Sequence, residues 1–129
     1  VTLSFEGQRP FPYYNWMGVN KAALEAVVRA LARNYGKDRV RVNAVSAGPL
    51  TTKAASSIPY FEHLSKTWDQ ISPLPWDTVK DKEEVAGAVV FLLGQFSKKI
   101  TGQTLFVDGG ANFIGGTLMD FEKPSASEG

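Results

Sequence analysis

The chain contains no cysteine. For these residues that excludes disulfides, thiolate nucleophiles and cysteine-ligated metals, and it suits a cytoplasmic protein. There is one histidine, His63. A Ser-His-Asp triad or a multi-histidine metal site is therefore not expected, and we assign no metal ligands. No apolar run approaches the roughly 20 residues of a membrane helix, and no secretory leader pattern is present. The formal net charge is only +1, so neither nucleic acid nor an acidic surface is indicated as a partner. The phosphate-binding pattern G-x-G-x-x-G is also absent. The pairs Gly109-Gly110 and Gly115-Gly116 lack its spacing and a following helix.

What remains is an ordinary globular composition, 43% hydrophobic and 21% charged over 129 residues. That is one domain or part of one. Its organising stretch is Tyr13 to Lys21. Tyr14 and Lys21 stand seven residues apart, close to two helical turns and about 10 Å of rise, so both leave from one face. A phenol can hydrogen-bond an oxygen that becomes negative during a reaction. A lysine beside it can hold cofactor hydroxyls and favour the ionised phenol. The pair alone is equally compatible with a surface helix.

Val1 to Phe5 reads as a buried strand and Glu6 to Pro12 as a loop. Phe5 would then face the start of the helix, where open α/β sheets place ligands. The spacing predicts a helix from about Tyr13 to Tyr35, ended by Gly36 as a C′ glycine. Its alanines on two faces suggest packing on both a sheet and a second subunit. Arg39 to Ala47 reads as a central parallel strand. It runs into Ala47-Gly48-Pro49-Leu50-Thr51-Thr52, where Gly48 allows close approach of a ligand and Thr52 offers a hydroxyl. Two short helices are expected between about 53 and 72, as a lid or as an ordinary surface excursion. Asp81 and Glu84 resemble a capping box opening an apolar helix. A last strand precedes Gly109-Gly110, and residues 119–129 read as a disordered tail.

The order strand, helix, strand, lid, helix, strand is the C-terminal half of a Rossmann-type, doubly wound parallel α/β sheet, covering residues 1–118. Such a half leaves a bare sheet edge. With the phosphate turn also missing, we expect these residues to be part of a longer chain.

Several motifs together resemble a known family. Tyr14-x6-Lys21, Arg41-Val42-Asn43-Ala44, Ser46-Ala47-Gly48-Pro49, Ile100-Thr101-Gly102 and Val107-Asp108-Gly109-Gly110 look like the C-terminal half of a short-chain dehydrogenase/reductase. Within that superfamily the six-residue gap resembles the enoyl-[acyl-carrier-protein] reductases of type II fatty-acid synthesis, where others have Tyr-x3-Lys. Phe5, Tyr14 to Met17 and Trp68-Asp69-Gln70 look most like the actinobacterial, mycobacterial branch. The resemblance implies NADH-dependent reduction of a trans-2-enoyl thioester, carried by acyl-carrier protein or coenzyme A. These residues do not themselves choose between NADH and NADPH.

By the same resemblance Tyr14 hydrogen-bonds the thioester carbonyl and Lys21 binds the nicotinamide ribose. Phe5 occupies an aromatic catalytic position that is often Tyr. Ala47, Gly48, Pro49, Leu50 and Thr52 form the cofactor loop, with Leu50 meeting the carboxamide and Thr52 the pyrophosphate. Met17, Ala54, Ala55, Ile58 and Phe61 line the acyl pocket and lid. It also implies a homotetramer, assembled through the 13–35 helix and C-terminal elements. These residues alone are expected to be inactive. The competing expectations are another short-chain reductase, acting on dienoyl or 3-oxoacyl thioesters, and a non-catalytic truncated subunit.

Overall fold

The computed structural model describes residues 1–3 and 15–114. The expectations for Phe5, Tyr14 and the tail lie outside those residues. Within them run strand β1 (Thr2–Leu3), helix α1 (Asn15–Tyr35), strand β2 (Ala44–Ala47) and the short helices α2 (Lys53–Ser56) and α3 (Phe61–Ile71). Helix α4 (Lys82–Leu93) and strand β3 (Thr104–Val107) follow. The strands form one parallel sheet in the order β1-β2-β3, with Thr2 opposite Val45, and Ala44 to Ala47 opposite Thr104 to Val107.

Successive residues of a strand point to opposite faces. Ala44, fully buried, packs under Val28 of α1, with Leu24 and Val42 around them. Its neighbour Val45 turns the other way and shares a groove with Val89 and Leu92 of α4. The two helices therefore cover opposite faces of the sheet. Both connections step across the sheet in the same direction between parallel strands, so they have opposite hands. One of them departs from the usual right-handed crossover.

The strand predicted from Arg39 to Ala47 is paired only from Ala44. Residues 41–43 instead form a side-chain clasp with residues 100–103. Asn43 Nδ2 donates to the Ile100 carbonyl (2.9 Å), and Asn43 Oδ1 accepts from the Gln103 N–H (3.1 Å). The Val42 N–H donates to Thr101 Oγ1 (3.1 Å), and the Gly102 N–H to the Val42 carbonyl (2.8 Å). Two motifs read above as family marks thus join β2 to β3.

Two helix ends differ from expectation. Gly36 does not act as the left-handed stop of α1. The chain tightens into a 3-10 turn, Gly36–Asp38, and the left-handed residue is Arg39 (φ 61°), whose N–H donates to the Gly36 carbonyl. Asp81 does precede α4, but its side chain makes no cap bond to that helix. Its Oδ2 accepts from the Asp77 N–H (2.7 Å), one turn earlier. Asp77 in turn accepts from the N–H groups of Lys80 (3.0 Å) and Val79 (2.9 Å). Those two donors, Lys80's first, hold the Asp77 carboxyl below its ordinary value of 3.8. The order helix then closes on Ser97, whose buried hydroxyl lies within reach of the Phe91, Leu92 and Gly94 carbonyls.

Among the described residues no helix is long and apolar enough to cross a membrane. None of their His, Asp and Glu side chains gather in threes suited to a metal ion.

Two outcomes follow. Arg39→Gly should stabilise the protein by about 0.5–1 kcal/mol, because glycine accepts positive φ without the Cβ penalty; denaturant midpoints would show it, and a destabilisation would refute the strain. Because its folded pKa is depressed, Asp77 contributes stability that is present above pH 3.8 and lost as pH falls through the lower folded value. Carboxyl titration by NMR should place the Asp77 midpoint below that of Asp77 in a denatured chain.

Candidate functional site

In a parallel sheet all strand C-termini meet at one edge, and there the α/β folds hold ligands. Here that edge carries the loop 48–52 after β2 and the turn 108–110 after β3. A third segment, residues 68–78, closes over both. Trp68 and Trp76 are its anchors, 2% and 7% exposed. They form one apolar cluster with Ala111, joined by Leu50, Leu64, Ile71, Val85 and Val107.

A buried indole must find an acceptor for its N–H. Trp68 Nε1 donates to the Asp108 carbonyl (3.0 Å) and Trp76 Nε1 to the Pro49 carbonyl (2.8 Å). Asp69 Oδ1 accepts from the Trp76 N–H (2.8 Å) and so fixes the turn between the two rings. Thr51 is tied to Thr78 twice, through its N–H to the Thr78 carbonyl (2.9 Å) and through the two hydroxyls (2.7 Å).

The close fit requires glycine at two positions. A Cβ on Gly48 would stand 2.6 Å from Trp76 Cε2 and 3.0 Å from Trp68 Nε1. A Cβ on Gly109, at φ 68°, would stand 2.7 Å from the Leu74 carbonyl oxygen. The turn itself is held by Asp108, whose buried carboxylate accepts from the Gly110 N–H (2.9 Å) and from the N–H and side-chain amide of Asn112 (3.0 and 3.2 Å).

The sequence-predicted residues are distributed unevenly around this edge. Ala47 ends β2; Gly48 is buried, and Pro49 and Leu50 are half-buried. The N–H and C=O of Leu50 have no hydrogen-bond partner among the described residues. Its side chain is committed to the tryptophan cluster, so its polar backbone is what a ligand would meet. Thr52 is exposed and caps α2, its Oγ1 accepting from the Ala55 N–H (3.0 Å). The hydroxyl proton remains available to donate. Lys21 is half-buried on α1, whose N-terminal end lies at this same edge.

Ile58 and Phe61 line a surface groove of about 540 Å³ with Thr51, Tyr60, Ser65 and Thr78. Ala54 and Ala55 belong to α2 but not to that groove, and Met17 lies half-exposed on α1. Sequence reasoning missed Trp76, Thr78 and Asp108 as builders of the site. The signal was available: a large aromatic between prolines in an extended stretch must bury its ring and pair its N–H.

A parallel sheet whose C-terminal edge presents a close-packed glycine loop and a half-buried lysine is part of a Rossmann-type α/β fold. The family model described as Enoyl-(Acyl carrier protein) reductase matches residues 1–112, and the chain belongs to that family. It is 44% identical over 120 residues to the enoyl-[acyl-carrier-protein] reductase [NADH] FabI of Rickettsia conorii, covering 92% of this chain and 45% of that protein. To the enoyl-[acyl-carrier-protein] reductase [NADH] of Mycolicibacterium smegmatis it is 41% identical over 122 residues, covering 87% and 45%. Among solved structures it resembles the Bacillus cereus enoyl-acyl carrier protein reductase with NADP+ and an indole naphthyridinone (TM-score 0.83, 37% identity, 88% of this chain and 44% of that one). The Anaplasma phagocytophilum reductase in complex with NAD is also similar (TM-score 0.79, 38% identity, 92% and 42%). The chain thus spans about 45% of the length of these curated relatives.

Gly48→Ala should cost about 1–3 kcal/mol, since the new methyl meets ring atoms rather than a flexible chain end. Thermal unfolding checks this; an unchanged midpoint would mean that the indoles do not press on the loop.

Proposed function

We propose that the protein containing this chain reduces trans-2-enoyl thioesters with NADH, the acyl group being carried by acyl-carrier protein or coenzyme A. The chain would supply the catalytic and acyl-binding half. The observation that carries the reading is the loop 47–52. It offers one backbone donor and one backbone acceptor at Leu50, the pair a carboxamide requires, beside a glycine that admits close approach.

The residues fit the cofactor's end groups. Leu50 would hold the carboxamide, Lys21 the ribose hydroxyls and Thr52 a pyrophosphate oxygen, with Ala47, Gly48 and Pro49 shaping the wall. The bound cofactor supplies a hydride for C3 of the enoyl group. Tyr14 would donate a hydrogen bond to the thioester oxygen as negative charge gathers there, an oxyanion-hole role. A proton then adds at C2. Lys21, positively charged, would keep the phenol's electrostatic environment favourable. Phe5 would line the reacting end without adding a hydroxyl. Met17, Ala54, Ala55, Ile58 and Phe61 would form an apolar acyl wall, and residues 53–72 a lid excluding water. Trp68, within that span, is held in the core, so movement would centre on α2 and the start of α3.

Exposed apolar side chains on α1 (Trp16, Val19, Val27) and around α4 (Val90, Leu93, Phe96) support assembly of several copies, and we propose a tetramer. A cytoplasmic location follows from the proposed pathway. The kinship with the actinobacterial branch rests on Phe5 and Trp68-Asp69-Gln70; identities of 41% and 44% to mycobacterial and rickettsial relatives do not separate the branches.

In the full-length gene product, crotonyl-thioester-dependent oxidation of NADH tests the activity. Its absence would favour a non-catalytic subunit, and a preference for 3-oxoacyl or dienoyl thioesters would favour another short-chain reductase. Lys21→Ala should weaken NADH binding about tenfold or more, as one charge-assisted hydrogen-bond clamp is lost. Tyr14→Phe should lower kcat about 10²-fold while leaving NADH affinity nearly unchanged. Equal losses of cofactor affinity would refute these roles.

A further inference from the structure

Two rings close over the strand edge, but only one of them reaches the loop 47–52 with its polar atom. Trp76 Nε1 donates to the Pro49 carbonyl at 2.8 Å, whereas Trp68 Nε1 donates to Asp108 on the neighbouring turn. The Pro49 carbonyl and the Leu50 N–H belong to the same peptide unit. That unit is planar and trans, since the chain has no cis peptide among the described residues, so its C=O and N–H point in opposite directions. A hydrogen bond that fixes the carbonyl therefore also aims the N–H. Pro49 lacks an N–H and has a restricted φ, so nothing else in its own residue competes for that setting.

We propose that Trp76 is a positioning residue for the Leu50 backbone. Its indole N–H rotates the Pro49–Leu50 peptide so that the Leu50 N–H faces away from the tryptophan cluster, towards the open strand edge. The same bond polarises the peptide and makes that N–H a better donor. The ring edge pressed on Gly48 sets the distance at which the loop stands, because no side chain intervenes. The two links from Thr51 to Thr78, two residues beyond Trp76, hold the far end of the loop to the same segment. The ligand group addressed is a planar primary amide, which needs the donor from Leu50 N–H and the acceptor from Leu50 C=O. This inference rests on the loop's proposed role in holding the nicotinamide carboxamide.

The test uses the full-length gene product. Trp76→Phe keeps an aromatic ring and removes the N–H. Trp68→Phe removes an equally buried indole N–H that is not aimed at the Leu50 peptide. We expect Trp76→Phe to raise the Kd and KM for NADH about three- to tenfold, the scale of one misoriented hydrogen bond. The KM for the thioester should stay put, and Trp68→Phe should leave NADH affinity near wild type even if both variants melt earlier. Equal NADH affinity in wild type and Trp76→Phe, or an equal loss in both variants, would overturn the proposal and leave the reductase reading standing. Failure of the wild type to bind NADH would overturn both. Amide exchange on the wild type needs no variant: NADH should slow exchange at Leu50, and no protection there would also overturn the positioning role.

Discussion

The described structure depends on the seating of two indole rings against a strand end that has no side chains to resist them. Gly48 and Gly109 are the positions where the segment 68–78 comes down on the sheet, and a Cβ at either would enter another residue's atoms. Because the rings are buried, their N–H groups must be satisfied within the protein. The available acceptors are the backbone carbonyls of the turns after β2 and β3. Apolar burial supplies the attraction, and the two hydrogen bonds make the seating specific. The loop that would meet the cofactor is thereby built from behind, by residues that need never touch a ligand.

The second constraint is the central position of β2. It is paired on both edges and covered on both faces, by α1 through Ala44 and by α4 through Val45. Its polar entry, residues 41–43, is satisfied by the clasp to residues 100–103 rather than by regular pairing. This explains why Asn43 and Thr101 sit in otherwise apolar surroundings. Each replaces a missing ladder bond, so their immediate roles are structural.

Much of this was legible beforehand. The long helix, the three parallel strands and the two short helices follow from apolar periodicity, and the motif set pointed to the family. The glycine at 48 was correctly read as a place of close approach, although what approaches it here is a tryptophan. Other features were not legible, for physical reasons. Gly36 is an obvious helix stop, yet local tightening into a 3-10 turn moved the left-handed conformation to Arg39, where no glycine advertises it. Asp81 and Glu84 have capping-box spacing, but Asp77 supplies a nearer backbone donor and captures the Asp81 carboxylate. Trp76 and Asp108 act through backbone groups far away in sequence, and pairings of that kind leave no local pattern.

The connectivity of β2 also has a consequence for how the protein is made. Its contacts with the first strand reach back 42 residues, while its clasp with the β3 side reaches forward 60. At about 5–20 residues per second, a ribosome would take roughly 3–12 s to deliver the second partner after the first pairing became possible. During that interval the most apolar strand of the described sheet would stand with one edge open and the α4 face bare. The order of synthesis, more than the strength of any one contact, then sets the period in which this sheet is open to a wrong partner.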